Sequence, residues 1–365
     1  MSWRGWAGLK ARSSAGARRL PVGWPLRMRM RPTRRLPLRP LHLTPLAASQ
    51  RNRPWRWRLV AGLAFAGVLG LPAAAQAQSF GLCERSQAVS AADQDLILRF
   101  TALVVRELEA SGAGTALVSR AGTDLSRFGL RYSHAGMALK DNPAGAWSVR
   151  QLYYVCDESR PRLFDQGLAA FLLAGRSAGT HVVSIVTLPA SARAAEQQLH
   201  DRVRDAPTAL SLLSPRYSAN AYAFGLTYQN CNQWIAEMMA AAWDPSFAVP
   251  ELSATGYNRE HAQRWLRSAG YAPTDIQVGS HGLMFIGQWI PLLHMDDHPL
   301  EDLYALRLRV SLPGALEAFL QQQVPAAQRV ELCLRDRQVV VHRGWSPLGE
   351  DCRPVDAQDE VRTLD

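Results

Sequence analysis

The chain has 365 residues, and its formal net charge of +10 comes from a very uneven distribution of basic side chains. Residues 1–77 hold fifteen Lys and Arg and no Asp or Glu, so the other 288 residues carry 26 basic and 31 acidic side chains, a net charge of about −5. Because the globular part is mildly acidic, the whole-chain charge gives no reason to expect a nucleic-acid partner. The sequence also lacks a glycine-rich phosphate loop and a dinucleotide fingerprint, so we expect no cofactor.

Residues 1–77 have the features of a secretory leader. Four arginines between residues 51 and 58 precede an apolar run, 59–71, that is too short for an ordinary transmembrane span. The small residues Ala75-Gln76-Ala77 predict cleavage after Ala77. We therefore expect an exported protein, periplasmic or secreted, with no transmembrane segment after cleavage. A later start at Met28 or Met30 and an uncleaved membrane anchor are alternatives.

The secondary-structure pattern after residue 90 alternates between helical and strand-like stretches. Ser90 and Asp93 have the spacing of a helix cap, and helical patterns follow at 90–110, 163–173, 190–203, 230–242 and 258–268. Strand patterns are found at 132–139, 147–155, 181–188, 303–310, 329–334 and 338–342. We predict an α+β domain over 78–345, in which helices pack on an antiparallel sheet and a β-rich extension follows. Residues 346–365 are expected to form a C-terminal tail, frayed from residue 357 onward.

The five cysteines are considered in an oxidising compartment, where an odd number leaves at least one thiol unpaired. Cys333 and Cys352 flank a short segment that a local bridge would close. Cys83 is free to join Cys156 near the new N-terminus, which leaves Cys231 as the odd thiol. Two bridges among five cysteines can be drawn in about fifteen ways, so this pairing is one hypothesis among several.

Cys231 is the strongest candidate for chemistry in the sequence. It follows Asn230, a plausible N-cap, and opens a predicted helix whose apolar residues Trp234, Ile235 and Met238 fall on one stripe. A thiol in the first helical turn feels the positive end of the helix dipole, which favours the thiolate. The pattern is typical of cysteine hydrolases; the alternative is a small buried hydrophobe.

His134 is the best partner for Cys231, because small neighbours on its predicted strand allow another element to approach. An imidazole facing a helix start can accept the thiol proton. Gln151, on the next strand, is a candidate to orient the ring, and Gln229 and Asn230 are candidates for an oxyanion pocket with the Cys231 N–H. The competing interpretations are a core histidine, a solvent-facing or backbone-bonded Gln151, and turn and cap roles for Gln229 and Asn230.

A second constellation, His294, Asp296 and His298, lies between two prolines. Histidine and carboxylate groups are good ligands for a divalent metal, but the spacing matches no metal signature. A structural loop held by turns is the stronger interpretation, and the three residues remain weak candidates for a metal-dependent protein.

Two family resemblances follow from these motifs. Ser133-His134-Ala135-Gly136-Met137, followed much later by Asn230-Cys231-Asn232, resembles the circularly permuted branch of the NlpC-type papain-like superfamily, over about residues 125–245. That resemblance implies a papain-like fold and a peptidase, amidase or acyltransferase with Cys231 as nucleophile and His134 as base. The third residue in that branch is often Glu or His, where this chain offers Gln151.

Over most of residues 80–345 the chain resembles a bacterial family known as a domain of unknown function, DUF2145. The matching stretches are 132–136, 165–168, 215–218, 228–234 and 294–299. This resemblance implies a secreted bacterial protein and brings no activity with it.

These observations lead to a cysteine hydrolase or acyltransferase acting on an amide or ester, such as a cell-wall peptide or a lipid. The alternative is a non-catalytic binding module of the cell envelope on the same scaffold. It predicts a groove lined by tryptophans, for which the candidates are Trp234, Trp243, Trp265 and Trp289.

Overall fold

The computed structural model describes residues 90–175, 180–248 and 256–364. The predicted leader, its cleavage site and Cys83 lie outside the described residues. Within the described ranges, no helix is both long and apolar enough to cross a bilayer.

A large antiparallel sheet forms the centre of the fold. Its eight strands lie in the order β10-β9-β8-β5-β1-β2-β3-β4, and two further strands, β6 and β7, pair separately. The strands are β1 (Thr115–Arg120), β2 (His134–Leu139), β3 (Ser148–Val155), β4 (Arg160–Gln166), β5 (Thr180–Thr187), β6 (Thr274–Gln277), β7 (Arg307–Val310), β8 (Gln328–Arg335), β9 (Gln338–Arg343) and β10 (Glu360–Thr363).

Helices cover both faces of this sheet, so the fold is mixed α and β as predicted. They are α1 (Ala91–Ala110), α2 (Leu168–Leu173), α3 (Arg193–Arg204), α4 (Ala206–Ser211), α5 (Cys231–Trp243), α6 (Arg259–Ser268), α7 (His281–Gly287), α8 (Leu300–Tyr304) and α9 (Pro313–Gln323). The predicted capping residue is confirmed: the Ser90 hydroxyl accepts a hydrogen bond from the backbone N–H of Asp93 at the start of α1.

The two faces of the sheet bury two separate apolar cores, because successive strand side chains point to opposite faces. Helices α3, α5, α6 and α9 pack over the first core, which includes Leu117, Met137 and Leu152. Helices α1 and α2 pack over the second, which includes Val118 and Val149. The sheet is therefore the middle of three layers.

The predicted helix over 163–173 is wrong in its first half. Residues Arg160–Gln166 instead form β4, and every one of them pairs with β3. Gly167 then precedes the short helix α2. The open edge of β3 offers backbone hydrogen bonds over the whole stretch, and these outweigh the local helical pattern.

The predicted C-terminal extension and tail also need correction. Strand β8 pairs with β5 over its full length, so the C-terminal strands extend the central sheet instead of forming a separate part. Residues expected to fray form β10, which pairs with β9, and Leu364 beyond it is buried. The boundary at residue 345 therefore does not hold, because the exposed edge of β9 takes up the last strand.

Strands β2 and β3 form the predicted hairpin, and the end of their ladder prepares the site. They pair over only three positions, ending at Met137 and Arg150. Just beyond, the backbone N–H of Ala135 donates to the Asn232 side chain of α5 at 3.1 Å. The N-terminus of α5 is thus held directly against the beginning of β2.

Candidate functional site

Cys231 is the first residue of α5, as the sequence predicts. The Asn230 Oδ1 atom accepts a hydrogen bond from the Gln233 N–H at 2.7 Å and caps the helix. Every side chain of α5 from Cys231 to Ala242 is buried, and Cys231 itself is 6% exposed. A deeply packed helix with a fixed cap holds the thiol in one place.

His134 and Gln151 lie in a hydrogen-bonded chain with Cys231. The His134 Nδ1 atom is 3.0 Å from the Cys231 sulfur, and His134 Nε2 is 2.5 Å from Gln151 Oε1. Because an amide oxygen can only accept, Nε2 carries the proton and Nδ1 is left to accept the thiol proton. Gln151 Nε2 in turn donates to Gln166 Oε1 at 2.5 Å, which fixes the orientation of its amide.

Asn232 connects the helix to the histidine strand, a role that the sequence analysis missed. Its Oδ1 atom accepts from Ala135, while its Nδ2 atom donates to the carbonyls of Ser133 and Ser311, both at 3.2 Å. These bonds bracket His134 on both sides. Asn232 therefore sets the distance between thiol and imidazole, and its position directly after Cys231 was the available signal.

Burial decides the protonation states of the pair. Desolvation raises the pKa of Cys231 to about 11, and it outweighs the Arg120 charge and the backbone N–H groups of Asn232, Ala135 and Cys231, which lower it. Desolvation and the Arg120 charge lower the pKa of His134 to about 3, although the hydrogen bond that its ring donates to Gln151 acts to raise it. The expected low thiol pKa is therefore wrong, because loss of solvent exceeds the effect of the helix start. The pair rests as thiol and neutral imidazole.

Arg120 is a second residue that the sequence analysis missed. It ends β1, lies opposite His134 in the ladder, and is only 4% exposed. Its guanidinium lies 5.0 Å from the centre of the Phe171 ring. No pattern in the sequence marks it, because the strand that carries it was not predicted.

Aromatic side chains surround the imidazole. The rings of His134 and Tyr153 are 6.1 Å apart, and Tyr153 also contacts Phe164 at 6.5 Å between centres. Tyr153 is 43% exposed and Phe164 40%, so this aromatic surface extends from the buried pair towards solvent. Tyr217 lies near the thiol, and burial and the Cys231 charge raise its pKa well above the ordinary value.

The predicted oxyanion role of the Gln229 and Asn230 side chains is not supported. Gln229 accepts from the Ser214 N–H and donates to Leu212 O and Glu237 Oε2. Asn230 Nδ2 donates to the carbonyls of Ala219 and Ser311, and its oxygen caps α5. Both amides are used by the scaffold.

Gln229 belongs to a buried network around Glu237 of α5. Arg259 and Gln263 of α6 donate to the same carboxylate, at distances of 2.9 and 2.6 Å for the shorter contacts. The Glu237 side chain is fully buried, so these donors satisfy a charge that water cannot reach. The network fixes the loop before Cys231.

The His294, Asp296 and His298 side chains do not converge on one point: the first two contact Tyr228, and the third contacts Asn220. The His294 ring stacks on Tyr228 at 4.3 Å, and Asp296 accepts from the Tyr228 hydroxyl at 3.2 Å. His298 Nε2 donates to Asn220 O at 2.7 Å. Across the described ranges, no group of three His, Cys, Asp or Glu side chains could hold a metal ion. The segment is a loop held to residues 217–228 by side-chain and backbone hydrogen bonds.

The cysteines and tryptophans are distributed as follows. Cys333 and Cys352 form a disulfide, and the one free cysteine of the described residues is Cys231. The pairing of Cys156 with Cys83 involves a residue outside the described ranges.

Trp234 is fully buried in the first core and Trp289 is 76% exposed, so these two tryptophans share no groove.

One family comparison gives a match. The family described as "Uncharacterized protein conserved in bacteria (DUF2145)" matches residues 107–320, a range that contains Arg120, His134, Gln151 and Cys231. No curated protein and no solved structure matches the chain.

Proposed function

This chain belongs to the bacterial DUF2145 family, and we propose that it is a papain-like cysteine hydrolase or acyltransferase acting on an amide or ester. The observation that carries the proposal is the contact of 3.0 Å between the Cys231 sulfur and His134 Nδ1 at the start of α5. A nucleophile and a base in direct contact, with the base oriented by a third group, are the parts that acyl transfer requires.

The arrangement of these parts supports a permuted papain-like relationship. The histidine strand β2 precedes the cysteine helix α5 in the chain, and Gln151 on β3 takes the third position. A neutral amide in that position orients the imidazole without adding negative charge, so the imidazolium is less stabilised than it would be beside a carboxylate.

The first chemical step follows from the resting protonation states. The Cys231 sulfur bonds to the substrate carbonyl carbon while its proton passes to His134 Nδ1, and the carbonyl π pair moves onto oxygen. Because the thiol pKa is raised and the imidazole pKa lowered, proton transfer accompanies attack and no ion pair forms beforehand. The Cys231 backbone N–H, at the start of α5, is the donor that we assign to the developing oxyanion.

The second step releases the first product. The carbon–nitrogen or carbon–oxygen bond breaks as the imidazolium proton passes to the leaving amine or alcohol, which leaves an acyl thioester on Cys231. Water or an acceptor amine or alcohol then attacks the thioester, with His134 again taking a proton. Hydrolysis and acyl transfer differ only in this acceptor.

An exported location fits the cysteine chemistry. The disulfide between Cys333 and Cys352 requires an oxidising compartment to persist, as the leader features of residues 1–77 also predict. Periplasmic or secreted enzymes of this type meet cell-wall peptides and lipids. The exposed rings of Tyr153 and Phe164 beside the pair would contact apolar parts of either substrate.

The experiment measures turnover of p-nitrophenyl acetate and of a small acyl-peptide amide by the purified protein. We expect release of p-nitrophenol above the background rate, lost in Cys231→Ala and retained in Ser346→Ala, a control in which an exposed hydroxyl is removed. Equal rates for the wild-type protein and Cys231→Ala would contradict the proposal.

The alternative is a non-catalytic binding module of the cell envelope on the same scaffold. The observation that favours it is the burial of the pair, with Cys231 6% and His134 8% exposed. It predicts that tryptophan fluorescence responds to cell-wall fragments with the same affinity in Cys231→Ala and in the wild-type protein. An affinity that depends on Cys231 would argue against it.

A further inference from the structure

Arg120 differs from the other buried arginines of the described residues. Arg120, Arg150, Arg259 and Arg329 are each less than a tenth exposed. Three of them pair with carboxylates: Arg150 with Asp165, Arg259 with Glu237, and Arg329 with Glu317 and Glu331. Arg120 has no carboxylate within ion-pair distance among the described residues. A buried charge is costly unless it is paired, so the exception calls for a function.

The hydrogen bonds of Arg120 leave part of its guanidinium unused. One terminal nitrogen donates to Ala121 O at 2.9 Å and Ala174 O at 3.2 Å, while the buried Nε atom has no partner. Two carbonyl contacts hold the group in place without neutralising it. The charge therefore acts on whatever lies next to it in the low-dielectric interior.

The neighbours of Arg120 belong to the candidate site. Arg120 and His134 are directly opposed in the β1–β2 ladder, and the Phe171 ring lies against both, 5.0 Å from the guanidinium and 5.8 Å from the imidazole. The Cys231 sulfur contacts the same imidazole, 3.0 Å from His134 Nδ1. The guanidinium and the thiol thus have the His134 ring as a common neighbour.

The titratable groups that face the thiol and the guanidinium come from several elements. They are His134 of β2, Tyr153 of β3, Tyr217 of the segment before α5, and His181 of β5, which lines a small cavity with Arg120. None of them carries a negative charge at neutral pH in an ordinary setting. The Cys231 thiol is therefore the group beside Arg120 on which the reaction develops negative charge.

We propose that Arg120 is the fixed counter-cation for the negative charge that develops on the Cys231 sulfur, a positioning residue that stabilises this charge and keeps the resting His134 neutral. This inference rests on the proposed function for its purpose, but the ionisation of the thiol is measurable without a substrate. The guanidinium carries its charge throughout the reaction, so it stabilises negative charge on the sulfur while the thiol proton passes to His134. Beside Arg120, the imidazolium formed during attack is a stronger acid and gives its proton readily to the leaving group.

The direction of each pKa shift agrees with this arrangement. Arg120 lowers the pKa of both Cys231 and His134, although burial is the larger cause for each. Burial lowers the pKa of Arg120 itself to about 10, and negative charge on Tyr153 and Cys231 would raise it again. Cation and thiolate stabilise each other in the same interior.

The first test uses the unaltered protein. Thiolate absorbance in the ultraviolet and the NMR signals of the His134 ring are followed from acidic to alkaline pH, with Cys231→Ser as the blank. We expect a neutral His134 ring throughout the neutral range and a thiolate that appears only at alkaline pH. A thiolate together with an imidazolium near neutral pH would overturn the proposal, because His134 would then be the counter-cation.

The second test removes the charge. Alkylation of Cys231 by iodoacetamide, in which the sulfur–carbon bond forms and iodide leaves, is measured against pH in Arg120→Gln and Arg120→Lys. We expect the thiol pKa in Arg120→Gln to rise by about one unit or more, which slows alkylation near pH 8 about tenfold, while Arg120→Lys stays within about threefold of wild type. Arg160→Gln, which removes an exposed arginine, is the control and should leave the rate unchanged.

These outcomes separate the two proposals. An unchanged thiol pKa in folded Arg120→Gln would overturn the role of Arg120 even if Cys231 is catalytic. A raised thiol pKa without any acyl transfer would support the counter-cation while contradicting the hydrolase. If Arg120→Gln does not fold, the titration of the unaltered protein and the alkylation rate of Arg120→Lys test the role of Arg120. A tenfold lower alkylation rate in Arg120→Lys would contradict the proposal.

Discussion

Two histidines of this protein have the same hydrogen-bonding connectivity and different surroundings. His134 lies between Cys231 and Gln151, and His342 lies between Ser346 and Asp359, at 3.0 and 2.6 Å. Each therefore links a potential nucleophile to an orienting acceptor. Connectivity alone does not distinguish a reactive site from a structural clamp.

The potential nucleophiles beside His134 and His342 differ in their surroundings. Cys231 opens a buried helix, where the backbone N–H groups of Asn232, Ala135 and Cys231 act to stabilise a sulfur anion. Ser346 is exposed on a bend after β9 and belongs to no helix. The first nucleophile has helix-start backbone donors for negative charge, whereas the second does not lie at a helix start.

The acceptor ends differ as well. Burial raises the pKa of Asp359, but hydrogen bonds from the Asp356 backbone, His342 and the Val355 backbone outweigh it, and the net shift is downward. These bonds hold the loop before β10 against β9, so the Asp359 carboxylate is part of the C-terminal fold. We infer that His342 is a structural clamp and His134 a catalytic base.

Replacing each potential nucleophile by alanine is expected to give the largest difference in the rate of acyl transfer. Cys231→Ala should reduce acyl transfer from an activated ester by at least about 10³-fold, since the proposed acyl intermediate forms on this sulfur. Ser346→Ala should stay within about twofold of wild type. Steady-state rates on p-nitrophenyl acetate check both, and a comparable loss in Ser346→Ala would place chemistry at His342.

Replacing each histidine by asparagine should distinguish a catalytic role from a structural one. His134→Asn should slow acyl transfer by about 10²- to 10⁴-fold, because the base is lost. His342→Asn should leave the rate unchanged and lower the free energy of unfolding by about 1–3 kcal/mol, because the buried Asp359 carboxylate loses its side-chain donor. Denaturant unfolding and ester turnover of both variants separate these effects, and the reverse pattern would refute the assignment.

Acidification should destabilise the protein through His134. Its pKa is lowered from 6.5 to about 3 in the folded state, so below pH 6.5 the unfolded chain binds a proton that the folded chain excludes. The contribution of this pKa shift to the free energy of unfolding is fully present above pH 6.5. It is lost at about 1.4 kcal/mol per pH unit as the pH falls from 6.5 towards 3. Unfolding measured between those limits should show a smaller slope in His134→Asn, and equal slopes would mean that His134 titrates normally.

The orienting acceptor is expected to give the smallest effect. Gln151→Leu removes the oxygen that selects the Nε2–H tautomer, and we expect acyl transfer to fall by about tenfold. Gln151→Glu keeps an acceptor of the same length and should retain more of the rate. A loss in Gln151→Glu equal to that in Gln151→Leu would show that the acceptor is not what matters.

The sequence predicted the site better than the sheet that carries it. Cys231, His134 and Gln151 were predictable because a helix cap, a strand of small residues and a polar residue in an apolar alternation are local signals. The six residues of β1, all buried, are too short a run to separate from a helix by periodicity, and Arg120 was missed with them. For the same reason, the end of β4 was predicted to be part of a helix.

The protonation of the pair could not be predicted from local signals. The position of Cys231 at a helix start indicated a low thiol pKa, and only the packing of α5 against β2 and β3 reveals the burial that reverses it. The oxyanion candidates failed for a related reason. Gln229 and Asn230 lie beside Cys231 in the sequence, but the buried network and the cap use their amides.

Covalent trapping of the acyl intermediate shows directly whether Cys231 is the nucleophile and His134 its base. The intact protein is mixed with p-nitrophenyl acetate, quenched in acid and digested, and the acetylated residue is located by mass spectrometry. We expect one acetyl group on Cys231, absent in Cys231→Ala and strongly reduced in His134→Asn. Acetylation elsewhere with Cys231 unmodified, or acetylation of Cys231 that is equally fast in His134→Asn, would contradict it.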